Sequence, residues 1–374
     1  MLFRSIHVSN RTQPDITIDI LDSSAARVKL ENRNILTLDD ILTTVSDFTG
    51  KPLESLTVKG RETLKNLENQ INAKIVGQRS QARAVAQVIV NNRLQLTNAN
   101  RPQGVFLFVG PTGVGKTAMA KEIAIALYGS EKSLQKLDMG EFNSADCINK
   151  LLGAPAGYIG HEQSGVLIKA LQQPGSVILL DEIEKAHKDV IKVLLNLFDT
   201  GIITSSKGIR CDSRANIIIM TSNLFSSKGA IERHIRKIGF SGGDAAGVTN
   251  ADLCSALAVD GVFTEELLGR IDKILLFNEL QPDDIREIIK LKLGETVERL
   301  LKKRITLKYD KETLLAYIYE KLEKGSSGVR GLQRLIETLI IQPLASALLE
   351  CDSDRGMEVV FGEEFYLNGN VEIK

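Results

Sequence analysis

The feature that most narrows the folds open to this chain is an uninterrupted apolar run, Val105-Phe106-Leu107-Phe108-Val109, set between Gly104 and Gly110. A strand built from it has no polar face to offer water, and such strands belong in the middle of parallel sheets covered on both sides. Similar runs recur at Ser176–Leu180 and Asn216–Met220, each preceded by enough chain for a crossover helix. The pattern predicts an α/β fold around a parallel sheet.

The segment immediately after the first run is equally restrictive. Gly110-Pro111-Thr112-Gly113-Val114-Gly115-Lys116-Thr117 fits G-x-x-x-x-G-K-[ST], the phosphate-binding loop. Chance alone gives such a match in roughly one chain in 70 of this length, so its place between a buried strand and a helical segment is what makes it informative. Glycines let backbone N–H groups curl around phosphate oxygens, and the following helix offers its positive end. Lys116 adds charge at the β- and γ-phosphates of a nucleotide, and the Thr117 hydroxyl is placed to ligate Mg²⁺. The second run ends in Asp181 and Glu182, where one carboxylate can hold Mg²⁺ and the other can orient and deprotonate an attacking water. The third ends in Thr221-Ser222-Asn223, whose amide can hold that water.

Composition limits the partners. Lys+Arg 47 against Asp+Glu 47 leaves no basic excess for nucleic acid or an anionic membrane. With 5% aromatics and no Trp, a base-stacking platform is also unsupported. Cysteines 147, 211, 254 and 351 and histidines 7, 161, 187 and 234 are scattered singly, without the spacing of a metal site. No apolar run approaches the ~18 residues of a membrane span, and the opening MLFRSIHVSN lacks a signal-peptide core; a soluble, cytoplasmic protein is expected.

The 374 residues leave room for two to three domains. Helical patterns are predicted up to about residue 35, where Ile16, Ile20, Leu21 and Val28 share a face, at Leu38–Phe48, and at Arg61–Leu96 with a break at Ile75-Val76-Gly77-Gln78. Ser241–Val248, with Gly242, Gly243 and Gly247, reads as a loop. Beyond Leu280 the pattern turns helical after a Gln281-Pro282-Asp283-Asp284 cap. Two short strands, Ile305–Tyr309 and Met357–Phe361, and an Asn368-Gly369 turn complete a smaller α+β domain, with the boundary near residue 278.

The order of short segments carries a resemblance. Ile75-Val76-Gly77-Gln78, the Gly110–Thr117 loop, Asp138-Met139-Gly140-Glu141, Gly153–Gly160, Val177–His187 and Met220–Asn223 together resemble the Clp family of AAA+ protein unfoldases, in particular the second ATPase module of its two-module members. The resemblance runs from about Thr37 to the C-terminus. It implies a RecA-like large domain at 71–278, a small lid domain at 279–374, and a 1–70 segment left from a preceding module, so that the chain reads as a one-module form. It implies that Ile75 and Val76 flank the nucleotide, that Glu182 is the hydrolytic base, and that Asn223 is a sensor. Arg270 becomes a finger reaching the nucleotide of the neighbouring subunit in a homo-oligomeric, hexameric ring, and Arg330 a second sensor. Thr264-Glu265 and Gly269 depart from the family's Arg-Pro-Glu and Asn before that finger. Tyr158 and Ile159 match the pore loop that grips unfolded protein substrates, by apolar, shape-tolerant contact. Ile238-Gly239-Phe240 matches the loop by which some members dock on a ClpP-like peptidase. The implied function is that of an ATP-dependent unfoldase, the ATP-binding subunit of a Clp protease; the alternatives are a ClpB-like disaggregase without a peptidase and a regulatory or assembly subunit.

Overall fold

A computed structural model of the chain describes residues 15–31, 33–49, 58–94, 96, 100–144, 146–154, 164–173, 175–224, 250–259, 263–324, 328–349, 357–362 and 372–373. Tyr158, Ile159, Ile238, Gly239, Phe240, the 241–248 loop and the Asn368-Gly369 turn lie outside them. The chain divides into two compact units, one of residues 1–110 and 115–277, the other of residues 111–114 and 278–374.

In the first unit a five-stranded sheet has the order β2-β3-β6-β1-β7, formed by β1 (Val105–Val109), β2 (Leu134–Asp138), β3 (Val177–Asp181), β6 (Ile217–Ser222) and β7 (Lys273–Leu276). Every pairing is parallel, with Val105 opposite Ile218, Val177 opposite Ile217, and Leu134 opposite Val177. The three apolar runs of the sequence are the three inner strands, and burial on both faces is why they carry no alternation. The outer strands were not anticipated: β2 reads LQKLD, with only Leu137 fully buried, and β7 has four residues. A small hairpin, β4 (Ile202–Thr204) with β5 (Arg210–Asp212), was also missed.

Helices fill the crossovers. In chain order the described ones are α1 (Asp15–Leu30), α2 (Leu38–Thr49), α3 (Val58–Lys74), α4 (Arg79–Arg93), α5 (Lys116–Tyr128), α6 (Cys147–Leu152), α7 (Val166–Leu171), α8 (Lys188–Thr200), α9 (Asn250–Val259) and α10 (Glu265–Leu268). The predicted break at residues 75–78 separates α3 from α4. Helix α3 packs on α5 and buries Leu67 and Ile71 completely, so the first unit draws on sequence upstream of residue 71. On α1, Val28 is buried, whereas Leu21 is 44% exposed and does not join the expected apolar face. No helix among the described residues is long and apolar enough to cross a membrane.

The second unit is built on α11 (Pro282–Leu301), whose first turn carries the predicted cap: Gln281 N–H donates to Asp284 Oδ2 at 2.9 Å. Ile289, Leu293 and Leu300 pack with Leu314, Ile318 and Leu322 of α12 (Lys311–Lys324). Strand β8 (Ile305–Lys308) runs parallel to β9 (Met357–Val360), and β10 (Glu372–Ile373) lies antiparallel to β9. A single π-helical turn at Glu337–Ile341 joins α13 (Leu332–Ile336) to α14 (Gln342–Leu349).

Candidate nucleotide site

Strand β1 leaves the sheet directly into the glycine loop. Gly110 has φ +146°, and a Cβ on it would stand 3.0 Å from the Phe277 carbonyl oxygen and 3.1 Å from Phe277 Cβ, so no other residue fits there without strain. Gly115 caps α5 in the left-handed conformation, with φ +104°. Ile75 and Val76, both buried, enter from the α3–α4 break; Ile75 Cγ2 lies 4.0 Å from where a Cβ on Gly115 would be. Between these glycines, Pro111, Thr112, Gly113 and Val114 belong to the second compact unit. Arg330 belongs to the same unit, its Cγ 3.6 Å from a Cβ built on Gly113.

Lys116 is 7% exposed, and its Nζ donates to the Gly110 carbonyl at 2.5 Å and to Asn223 Oδ1 at 2.9 Å. The other end of the Asn223 amide, Nδ2, donates to Glu182 Oε1 at 3.0 Å. An ammonium can only donate and a carboxylate can only accept, so this side chain is oriented by its two neighbours. One amide therefore ties the loop lysine to the second carboxylate of β3. Its own backbone N–H donates to Glu184 Oε1 at 3.0 Å, which fixes where the amide starts from.

The two carboxylates at the end of β3 have separate donors. Lys136 Nζ lies 2.7 Å from Asp181 Oδ2, and Thr221 Oγ1 donates to Asp181 Oδ1. Burial pushes the Asp181 carboxyl up, but hydrogen bonds from Lys136 and Thr221 and the charges of Lys136 and Lys116 outweigh it and hold it below its ordinary value. Glu182 has φ +57° and ψ +52°, unusual for a residue with a Cβ, and its N–H donates to Thr221 Oγ1 at 3.1 Å. Lys185 Nζ lies 2.5 Å from Glu182 Oε2, a contact that raises the lysine above its ordinary value. Thr221 thus serves both carboxylate residues with one hydroxyl.

The structure brings together Gly110, Gly115, Lys116, Asp181, Glu182 and Asn223. Thr117 stands exposed in the first turn of α5. Arg270 is placed elsewhere. Strand β7 runs beside β1 with Phe106 opposite Lys273 and Val109 opposite Leu276, so Arg270 lies at the start of the strands and Gly110 at their ends. Those ends are about 17 Å apart at 3.3 Å per residue. Sequence reasoning missed Lys136 and gave Thr221 no role of its own; Leu134-Gln135-Lys136-Leu137-Asp138 is neither an apolar run nor a period-2 alternation, so the sequence offered no strand signal there.

A family model described as AAA domain (Cdc48 subfamily) matches residues 101–274, and one described as the C-terminal, D2-small domain of ClpB protein matches residues 280–361. Together they cover about two thirds of the chain. The chain belongs to the Clp family of AAA+ ATPases. Among its relatives, the chaperone protein ClpB of Gloeobacter violaceus is 36% identical over 345 residues, covering 91% of this chain and 38% of its own length. ClpB of Chlamydia caviae is 36% identical over 333 residues, covering 88% and 38% respectively. A closed-state structure of Hsp104 with ATPyS and FITC casein superimposes with a TM-score of 0.75 at 31% identity, over 99% of this chain and 62% of that one. The S. cerevisiae Hsp104:casein complex in its extended conformation gives 0.75 at 30% identity, with the same coverage. The chain thus spans under two fifths of the length of these ClpB relatives.

Proposed function

We propose that this chain binds ATP with Mg²⁺ and hydrolyses it as one subunit of a homo-oligomeric, hexameric ring that pulls on unfolded protein. The observation that carries the reading is the bridge from Lys116 through Asn223 to Glu182. A phosphate-side cation and a candidate base are held by the two ends of one amide, which suits a group that reports on the γ-phosphate while orienting water. The residues present fit the metal: Asp181 is held below its ordinary value and so ionised, and Thr117, next to Lys116 in the first turn of α5, offers a hydroxyl. Bound Mg²⁺ would neutralise charge on the β- and γ-phosphate oxygens. The glycine-loop amides and Lys116 bind and orient the phosphates, Ile75 and Val76 close the base side, and Glu182 takes the proton of the attacking water.

Arg270 cannot serve the loop of its own chain from the far end of β1. A role on nucleotide therefore requires a second copy, and that placement supports a site completed between subunits. Residues 71–278 would act as the ATPase and 279–374 as the lid, with Arg330 sensing nucleotide and Tyr158 and Ile159 gripping substrate.

The ClpB and Hsp104 relatives support a ClpB-like chaperone without a peptidase over the protease-subunit reading drawn from Ile238-Gly239-Phe240. A cytoplasmic location suits the free Cys147, Cys211 and Cys254, as expected of a reducing compartment. The test is phosphate release and unfolding of a tagged fluorescent protein by the purified chain, with ring mass measured with and without ATP. Glu182→Gln should abolish turnover and keep ATP binding and ring formation; turnover unchanged in that variant refutes the reading. Sedimentation with a ClpP ring separates the alternatives, since co-sedimentation abolished by Phe240→Ala would restore the protease reading.

A further inference from the structure

Arg270 is not a loose surface arginine. Its Nε–H donates to Asp199 Oδ2 at 2.5 Å, one NH1 hydrogen goes to the Glu266 carbonyl at 2.8 Å, and NH2 lies 3.2 Å from Glu266 Oε1. The Glu266 carboxylate is on a side chain 62% exposed and four residues away on the same segment, an exchangeable pair of little worth. Asp199 is different, because it comes from the end of α8, far away in sequence.

A second arginine sets the distance between those two segments. Arg101 Nε donates to the Phe198 carbonyl at 3.0 Å, its NH2 donates to the Arg270 carbonyl, and its NH1 lies 3.1 Å from Asp272 Oδ1. Asp272 Oδ2 in turn accepts from Val105 N–H at 2.8 Å. The backbone next to Asp199 and the backbone of Arg270 are therefore clamped by one guanidinium, which is itself anchored to the first residue of β1. With spacing fixed by Arg101, the Asp199 carboxylate decides only the direction of the Arg270 side chain.

We infer that Asp199 is a positioning residue for Arg270, holding the Nε edge of its guanidinium so that the opposite edge is offered to the nucleotide of a second copy of this chain. A guanidinium has five donors in a fixed plane, so engaging Nε and one NH1 hydrogen fixes that plane and leaves the outer NH1 and NH2 hydrogens for phosphoryl oxygens. The inference rests on the proposed trans role of Arg270.

Steady-state ATPase of Asp199→Asn, Arg270→Ala and wild type tests it, with ring mass and thermal midpoint as checks on assembly and folding. Asp199→Asn should lower kcat about tenfold, with KM for ATP within twofold and both checks unchanged; Asp199→Glu should recover part of the loss. Mixed rings give the readout that a structural role would not move. Adding Lys116→Ala subunits, dead in their own site but with Asp199 and Arg270 intact, should raise turnover per Asp199→Asn site above that of Asp199→Asn alone. No such gain would mean that Asp199 acts within its own chain, and overturns the inference. Wild-type kcat in Asp199→Asn beside an inactive Arg270→Ala overturns the Asp199 role and leaves the proposed function standing. Full activity in Arg270→Ala overturns both.

Discussion

Thr221→Val is the most informative single change, because it removes one buried hydroxyl and keeps the shape. Thr221 is 1% exposed, donates to Asp181 and accepts the Glu182 N–H at 3.1 Å. Valine leaves one carboxylate oxygen without its donor and one inner N–H without its acceptor, in a residue whose φ is already left-handed. Asp181 can recover part of its loss from Lys136 and solvent; Glu182 N–H cannot. Taking about 0.5 kcal/mol for the first and about 1.5 kcal/mol for the second gives a destabilisation of about 2 kcal/mol. With a urea slope of roughly 3 kcal/mol per molar, the midpoint for the first unit should fall by about 0.7 M. Hydrolysis should fall with it, by about tenfold in kcat, because both carboxylates lose a fixed orientation. Thr221→Ser restores the hydroxyl and should recover most of both losses. A Val variant with a midpoint and kcat within error of wild type would refute the claim that this hydroxyl organises the strand ends.

Asn223→Ala should lower kcat by about tenfold at similar ATP affinity, since Lys116 keeps the Gly110 carbonyl while Glu182 loses its amide; single-turnover hydrolysis beside a fluorescent-nucleotide titration separates the two effects. Gly110→Ala meets Phe277 backbone at 3.0 Å and a φ that side chains avoid, so nucleotide binding should be lost and stability should drop by about 2 kcal/mol, read by titration and melting. For Asp181 the folded carboxyl sits below its ordinary 3.8, so the stability it adds is complete above that value and disappears as pH falls through the lowered one. Lys136→Met removes one of the groups holding it down, and the acid unfolding midpoint of the first unit should move to higher pH; an unchanged midpoint would show the ion pair to be idle.

Burial decides how much of this is legible in the sequence. Strands β1, β3 and β6 lie inside the sheet, so up to their polar last residues, Asp181 in β3 and Thr221 and Ser222 in β6, every position is apolar and the runs stood out; Gly110, Asp181 and Asn223 were legible as the residues at which those runs stop. Edge strands carry weaker constraints. Lys136 is chemically ordinary in sequence, and only the pairing of Leu137 with Leu180 and Asp138 with Asp181 brings its ammonium to Asp181. Arg270 was legible by its surroundings in the chain, but Asp199 and Arg101 were not, because their meeting depends on contacts 71, 169 and 171 residues apart. Thr221 was visible as part of Thr221-Ser222-Asn223, yet its two bonds depend on the left-handed backbone of Glu182, which nothing in a non-glycine residue announces.

Strand β1 is tied at one end to Asp272, and so to the segment carrying Arg270, and at the other it becomes the glycine loop. In a ring, those ends would belong to consecutive nucleotide sites. Between them runs a single fully buried strand about 17 Å long, with no turn, glycine or exposed residue to absorb a shift. Such a strand would act as a push rod: an axial shift of Gly110 would pass along it to Asp272, so in the proposed ring a change at one site would be carried to the next by a rigid strand.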